Sequence, residues 1–207
     1  MRRGVTLLEV MVAAGLGLLV LGLTFGYIVP SFKAANRFRV RSELHQSAQV
    51  VLAKISQAAS TTSPGGFSWS KTAPVAVAFN PMGTLQPANG ILTWESHYDL
   101  FWWNSKEQTV HQKRWPPGEP AITDEEESPI RAKRLPPDRL LAVTDAEEPK
   151  LTLAYGVTEF AVSHSGTEEA LIQPVTIRIK LRESGREDRF EAEEVEQQMT
   201  FHLVNQQ

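Results

Sequence analysis

Between Val10 and Phe32 no charged residue interrupts 23 consecutive positions, VMVAAGLGLLVLGLTFGYIVPSF. A helix of that length measures about 34 Å, enough to cross a hydrocarbon core of about 30 Å. A buried core helix rarely runs so far without a polar face, so the pattern predicts a membrane span. Beyond it the pattern changes. Val40, Leu44, Ala48, Val51, Leu52, Ile55 and Ala59 recur at steps of three and four, with Arg41, Glu43, His45, Gln46, Gln49 and Lys54 between them. That is an amphipathic stripe over about a third of a helix circumference. Span and stripe together predict one helix from about Val5 to Ala59, near 80 Å long. Gly22, Gly26 and Pro30 are expected to loosen or kink it, and Ser60-Thr61-Thr62-Ser63-Pro64-Gly65-Gly66 to end it.

From Phe67 onward the period shortens to two. Pro74 to Phe79 and Ile91 to Trp94 read as short strands. Tyr98–Trp103 faces Thr109–Trp115 across Asn104-Ser105-Lys106-Glu107-Gln108 as a hairpin. The proline-rich residues 116–138, with the acidic run Asp124-Glu125-Glu126-Glu127, read as a surface excursion. Regular structure resumes near Leu140. Leu151–Tyr155, Gly156–Val162, Val175–Leu181 and the tail Met199–Val204 read as strands, with a turn at residues 183–188. A helix first and antiparallel strands after it is the α+β order. The expected organisation is a leader at 1–4, a membrane or filament-core helix at 5–32, its amphipathic continuation at 33–59 and a β-rich head at 60–207.

Composition narrows the chemistry. The 207 residues contain no cysteine, which excludes disulfides, thiolate metal sites and cysteine nucleophiles. A net charge of −3 gives no global reason to expect nucleic acid as a partner. His45, His97, His111, His164 and His202 stand at no metal-binding spacing. Neither a Gly-x-Ser-x-Gly elbow nor a phosphate-binding glycine loop occurs. Ser163 and His164 are strand neighbours and point to opposite faces, and the acidic run at 124–127 lacks the ligand alternation and glycine of a calcium loop. These patterns call for no enzyme, no cofactor and no metal. Trp102, Trp103 and Trp115 are a candidate binding surface. With Lys113-Arg114 they keep a DNA-uptake or adhesion role in view, although nothing else in the sequence favours nucleic acid.

The start of the chain is unlike a secretory signal. Met1-Arg2-Arg3 is basic, but the apolar stretch exceeds the usual 7–15 residues and no Ala-x-Ala site closes it. Glu9 stands alone at the mouth of the span, where an acidic group is costly and needs a partner or a role unless it stays solvated at the headgroup level. The segment Arg2-Arg3-Gly4-Val5-Thr6-Leu7-Leu8-Glu9-Val10, followed by the uncharged run, resembles the type IV prepilin family, which includes the pseudopilins of type II secretion. The resemblance implies a prepilin peptidase that cuts between Gly4 and Val5 and methylates the new amine on Val5. It further implies that Glu9 registers the subunit against its neighbours by pairing with that amine. Val5 departs from the phenylalanine usual at this position.

The C-terminal half resembles the minor pilin W and minor pseudopilin J branch. The likeness lies in the paired segments Tyr98-Asp99-Leu100 and Thr109–Arg114, in Gly156-Val157-x-x-Phe160, and in Val175-x-Ile177-x-Ile179-x-Leu181 with Phe201-x-Leu203-Val204-Asn205. It implies a minor pilin that primes or joins a type IV pilus, or else a minor pseudopilin of a secretion system, with other pilins or pseudopilins as partners. The implied location is a single pass in the inner membrane with the head in the periplasm or outside, then the pilus. One feature opposes that orientation: Lys33, Arg37, Arg39 and Arg41 follow the span, against only Arg2 and Arg3 before it, and positive charge normally stays cytoplasmic. This keeps alive a plain single-span protein with a cytoplasmic domain. Pairing of the four cations with acidic residues of neighbouring subunits would reconcile them with the prepilin orientation.

Overall fold

The computed structural model describes residues 6–85, 92–116, 132–145, 150–166, 171–183 and 192–204. The apolar run and the amphipathic stripe form one helix, α1 (Leu7–Ser60), which stays helical on both sides of Pro30. Two hydroxyls in this stretch turn back on the backbone: Thr24 Oγ1 donates to the Val20 carbonyl at 2.7 Å and Ser31 Oγ to the Tyr27 carbonyl at 2.8 Å. Such back-bonding leaves neither donor unsatisfied in an apolar surrounding.

The chain divides into two compact units, Met1–Ser42 and Glu43–Gln207. In the first, the helix is long and apolar enough to span a membrane, and none of its apolar window is buried. In the second, the remainder of α1 buries Leu44, Ala48, Val51, Leu52, Ile55, Ala58 and Ala59 against an antiparallel β structure. Those are the positions of the amphipathic stripe from Leu44 onward, with Ala58 added; Val40, the first of the stripe, is only half-buried. The fold is α+β, as the order of periodicities predicts.

Two sheets follow, antiparallel throughout. The larger contains β1 (Thr62–Ser70), β2 (Ala76–Leu85), β4 (Tyr98–Asn104), β5 (Thr109–Trp115) and β6 (Leu151–Tyr155) in the order β1-β2-β4-β5-β6, with β3 (Leu92–Trp94) paired to β2. The segment expected to be a pure breaker, Thr62 to Gly66, is instead the start of β1. Its register with β2 slips between Thr62 and Phe67. Pro64 is tolerated there because β1 is an edge strand with a bulge, where a missing N–H costs no ladder bond. Gly66 approaches β2 so closely that an added Cβ would lie 2.9 Å from the Asn80 carbonyl. The β4–β5 hairpin has the expected register, from Tyr98 opposite Trp115 to Asn104 opposite Thr109.

Alternation along these strands separates two buried faces. Phe67, Val77, Phe79, Phe101 and Val110 lie on one. Ala76, Ala78, Tyr98, Leu100 and Trp102 lie on the other, where they pack with Leu135 and with Leu140 and Val143 of α2 (Pro137–Asp145). The end of the proline-rich stretch is therefore core rather than surface excursion. Pro137 opens α2 at the position where its missing N–H and fixed φ suit a helix start. The acidic run at 124–127 and the turn at 184–188 lie outside the described residues.

The smaller sheet joins β7 (Val157–Ser163), β8 (Val175–Arg182) and β9 (Glu194–Phe201) in that order. β8 alternates cleanly, with Val175, Ile177, Ile179 and Leu181 buried. Its outward side carries a charge ladder, in which Arg178 pairs with Glu159 and Glu196 and Lys180 with Glu194 and Glu196. The last strand begins at Glu194, five residues before the expected tail strand, and ends at Phe201. Leu203 is still buried, and the Val204 amide donates to the Thr62 carbonyl at 3.0 Å. One residue, Gly156, connects the sheets at φ +70°, with the Arg182 carbonyl 2.6 Å from where a Cβ would be. Phe79 meets Phe67, Phe101 and Phe201 at ring-centroid distances of 5.1, 5.9 and 6.2 Å, so one aromatic cluster spans both sheets.

Candidate functional site

At the mouth of α1, Thr6 and Glu9 bond each other reciprocally. The Thr6 amide donates to Glu9 Oε2 at 2.9 Å and Thr6 Oγ1 to the same oxygen at 3.1 Å, while the Glu9 amide donates to Thr6 Oγ1 at 3.3 Å. This is a capping box, in which residues three apart satisfy two orphan amides of the first helical turn. The Thr6-x-x-Glu9 spacing ahead of an apolar run is the sequence signature of this box. The carboxylate thus has a local structural role beside any intermolecular one. It also favours the helix N-terminus electrostatically. Gly4 and Val5, the proposed cleavage pair, lie outside the described residues. The helix presents Leu7 and Leu8 ahead of Glu9 and Met11, Leu18, Leu23 and Phe32 behind it, each more than half exposed.

The three tryptophans do not share one exposed face. Trp102 is buried beneath α2, while Trp103 points to the opposite side of β4 and its Nε1–H donates to the Val157 carbonyl at 2.9 Å. That bond pins the start of β7 to the β4–β5 hairpin, joined by the Val157 amide donating to the Gln108 carbonyl at 2.8 Å. Trp115 packs at the margin of the α2 core, 6.3 Å from Tyr98 and under the Arg139 guanidinium. Trp103 and Trp115 retain some surface, on different faces of the sheet.

Lys113 and Arg114 also part company. Lys113 is only 5% exposed, lies 5.6 Å from the centre of the Trp102 ring and donates to the Val143 carbonyl in the last turn of α2. A cation there complements the negative end of the helix dipole. Arg114 is exposed and faces Asp99 at 3.5 Å across the hairpin. The basic pair is therefore not a surface patch.

Arg114 and Asp99 instead line a groove of about 530 Å³ whose walls include Lys54, Gln57, Thr61 and Glu95. Its charges are of both signs, and no group of three potential metal-ligating side chains occurs among the described residues. Two histidines have structural positions. His111 is buried, bonded to Thr109 and Thr152 at 2.8 and 3.1 Å; burial, with the Lys150 charge, holds its pKa below the ordinary value against the opposing pull of Glu107. His164 stands edge-on to Trp69 with centroids 4.7 Å apart, and its Nδ1 accepts the Gly166 amide, so the neutral ring carries its proton on Nε2. Burial, then Lys71 and Arg134, lower the His164 pKa.

No family model matches the chain, and comparison with curated proteins and with solved structures finds no similar protein.

Proposed function

We infer that the chain is a minor type IV pilin, a structural subunit inserted in the inner membrane, trimmed between Gly4 and Val5, methylated on Val5, and assembled into a pilus or its tip. The observation that carries this reading is the mouth of α1. A single capped carboxylate stands six residues behind a basic pair and in front of a charge-free helix with an unburied surface. A helix apolar all round is at home either in lipid or among other apolar helices. Gly15, Gly17, Gly22 and Gly26 each have open space where a Cβ would stand, which suits close approach of a neighbouring helix. The head then supplies specificity through its loops and groove. A minor pseudopilin would use the same parts, and the companions assembled with the chain separate the two.

Intact-mass and N-terminal analysis of membrane-extracted protein tests the reading. The mature chain should start at Val5 with a methylated amine, and Gly4→Val should accumulate as uncut precursor. Assembled protein that retains Met1 would refute it. The four cations behind the span specifically favour a second reading, a single-span protein with its head in the cytoplasm.

A further inference from the structure

After Glu9 the next acidic residue is Glu43, and between them stand Lys33, Arg37, Arg39 and Arg41. All four are exposed on the continuous helix α1. Counting Glu43 against them leaves a net charge of +3 in this segment. At about 100° per residue, Lys33, Arg37 and Arg41 fall within an arc of about 80°, and Arg39 points to the other side. The cations form a belt that is denser on one face. Phe38, 74% exposed, lies within the belt.

The rise of the helix sets their heights. Measured from Phe32, the last residue of the charge-free run, Lys33 stands about 1.5 Å and Arg37 about 7.5 Å further along the axis. Arg39 and Arg41 follow at about 10 and 13 Å. The polar layer on each side of a hydrocarbon core is about 5–7 Å thick. Lys33 therefore falls within it and Arg37 stands at its outer edge, and the longer reach of flexible stems brings Arg39 and Arg41 within about one Debye length of its surface.

We propose that this belt binds the headgroups of anionic phospholipids in the leaflet that α1 leaves on its way to the head. The inference rests on reading residues 10–32 as a membrane span, and on no particular filament. Guanidinium groups suit it because their planar donors match phosphate oxygens in pairs. Charge complementarity selects the occupant: the segment is the most cationic part of α1, while zwitterionic lipid offers no net charge to match. Acidic side chains of another protein are the competing occupant.

The full chain, reconstituted in bilayers, decides it by electron spin resonance of spin-labelled phosphatidylglycerol and phosphatidylcholine. Each cation near the surface contributes about a fivefold factor in association. The expected result is a preference for phosphatidylglycerol that shrinks at 1 M salt. It should fall by up to about 25-fold, two such factors, in the double variant Lys33→Gln/Arg37→Gln, and less in Arg39→Gln/Arg41→Gln because of their greater height. Equal association of both lipids, or a preference untouched by the first pair of substitutions, would overturn the proposal and leave a protein partner as the belt's occupant. Resistance of the same preparation to alkaline extraction reports separately on the span: release of the chain would show that residues 10–32 do not insert.

Discussion

Glu9 has two candidate duties, and a pair of substitutions tells them apart. As the third helical residue, closing a capping box on Thr6, it accepts two bonds from Thr6 on Oε2. As a registration device it would pair with the Val5 amine of the same or an adjoining subunit. Glu9→Val removes both functions. Glu9→Gln removes only the charge, because a capping box accepts glutamine in the same place. Losing the cap costs about 0.5–2 kcal/mol of helix stability. Glutamine would recover most of that, short of about 0.3–1 kcal/mol for the interaction of the charge with the helix terminus. The ion pair is a larger quantity. An amine left unpaired in a water-free helix bundle costs about 3–5 kcal/mol, a factor of roughly a hundred to a few thousand in assembly. Under the registration reading, Glu9→Gln should therefore be scarce in sheared filaments, nearly as scarce as Glu9→Val, while both insert and are cleaved at near wild-type levels. Quantitative immunoblots of membrane and filament fractions give the answer. Filaments of Glu9→Gln at wild-type abundance would refute registration by charge and leave Glu9 as a helix cap.

Gly156→Ala should destabilise the head by about 1–3 kcal/mol, since φ +70° strains any L side chain and the new Cβ would meet the Arg182 carbonyl; denaturant titration of the full chain in detergent measures it. A fragment starting at Lys33 keeps every buried position of α1 and all nine strands of the described residues, and should melt cooperatively without detergent; a non-cooperative melt by circular dichroism would show that the head depends on what was removed. The pKa values of His111 and His164 are depressed in the fold. As pH falls below about 6.5 the unfolded chain takes up protons that the folded chain resists, so stability should fall from pH 6.5 toward 5.5, and His111→Gln should flatten the decline in melting temperature.

What the sequence conveyed depended on how directly periodicity maps onto burial. The apolar run, the stripe from Leu44 to Ala59 and the alternation of Val175–Leu181 each have one dominant signal, and each appears where expected. The β4–β5 hairpin was equally plain, because two alternating segments flank a short polar loop. Composition misled where a tertiary neighbour overrode it. Thr62–Gly66 reads as a breaker but forms an edge strand against Asn80 and Pro81. Leu135–Val143 sits among prolines and arginines, yet it covers Leu100 and Trp102. Lys113 reads as surface because lysine is rarely buried. Strand alternation places it with His111 and Trp115, on the side that α2 covers, and that signal could have found it. β9 was displaced because Glu194, Glu196 and Gln198 hide the alternation of a strand whose outward side answers Arg178 and Lys180.

The conflict between leader and belt has a physical resolution. Positive charge steers topology mainly through short loops, whereas long domains cross largely regardless of charge. Everything after the span belongs to a segment far longer than the roughly 60 residues over which that bias is counted, so the four cations weigh less than their number suggests. Head outside is then compatible with the sequence, and the belt meets a leaflet of phospholipid headgroups in either orientation. Because the chain has no cysteine, orientation is directly measurable. Gln49 is exposed on α1 beyond the belt, so Gln49→Cys introduces a single thiol with little cost to packing. In intact cells, a maleimide that passes the outer but not the inner membrane should label this thiol fully. Labelling that needs lysis of the inner membrane would place the head in the cytoplasm, and with it would fall cleavage at Gly4 followed by export into a filament.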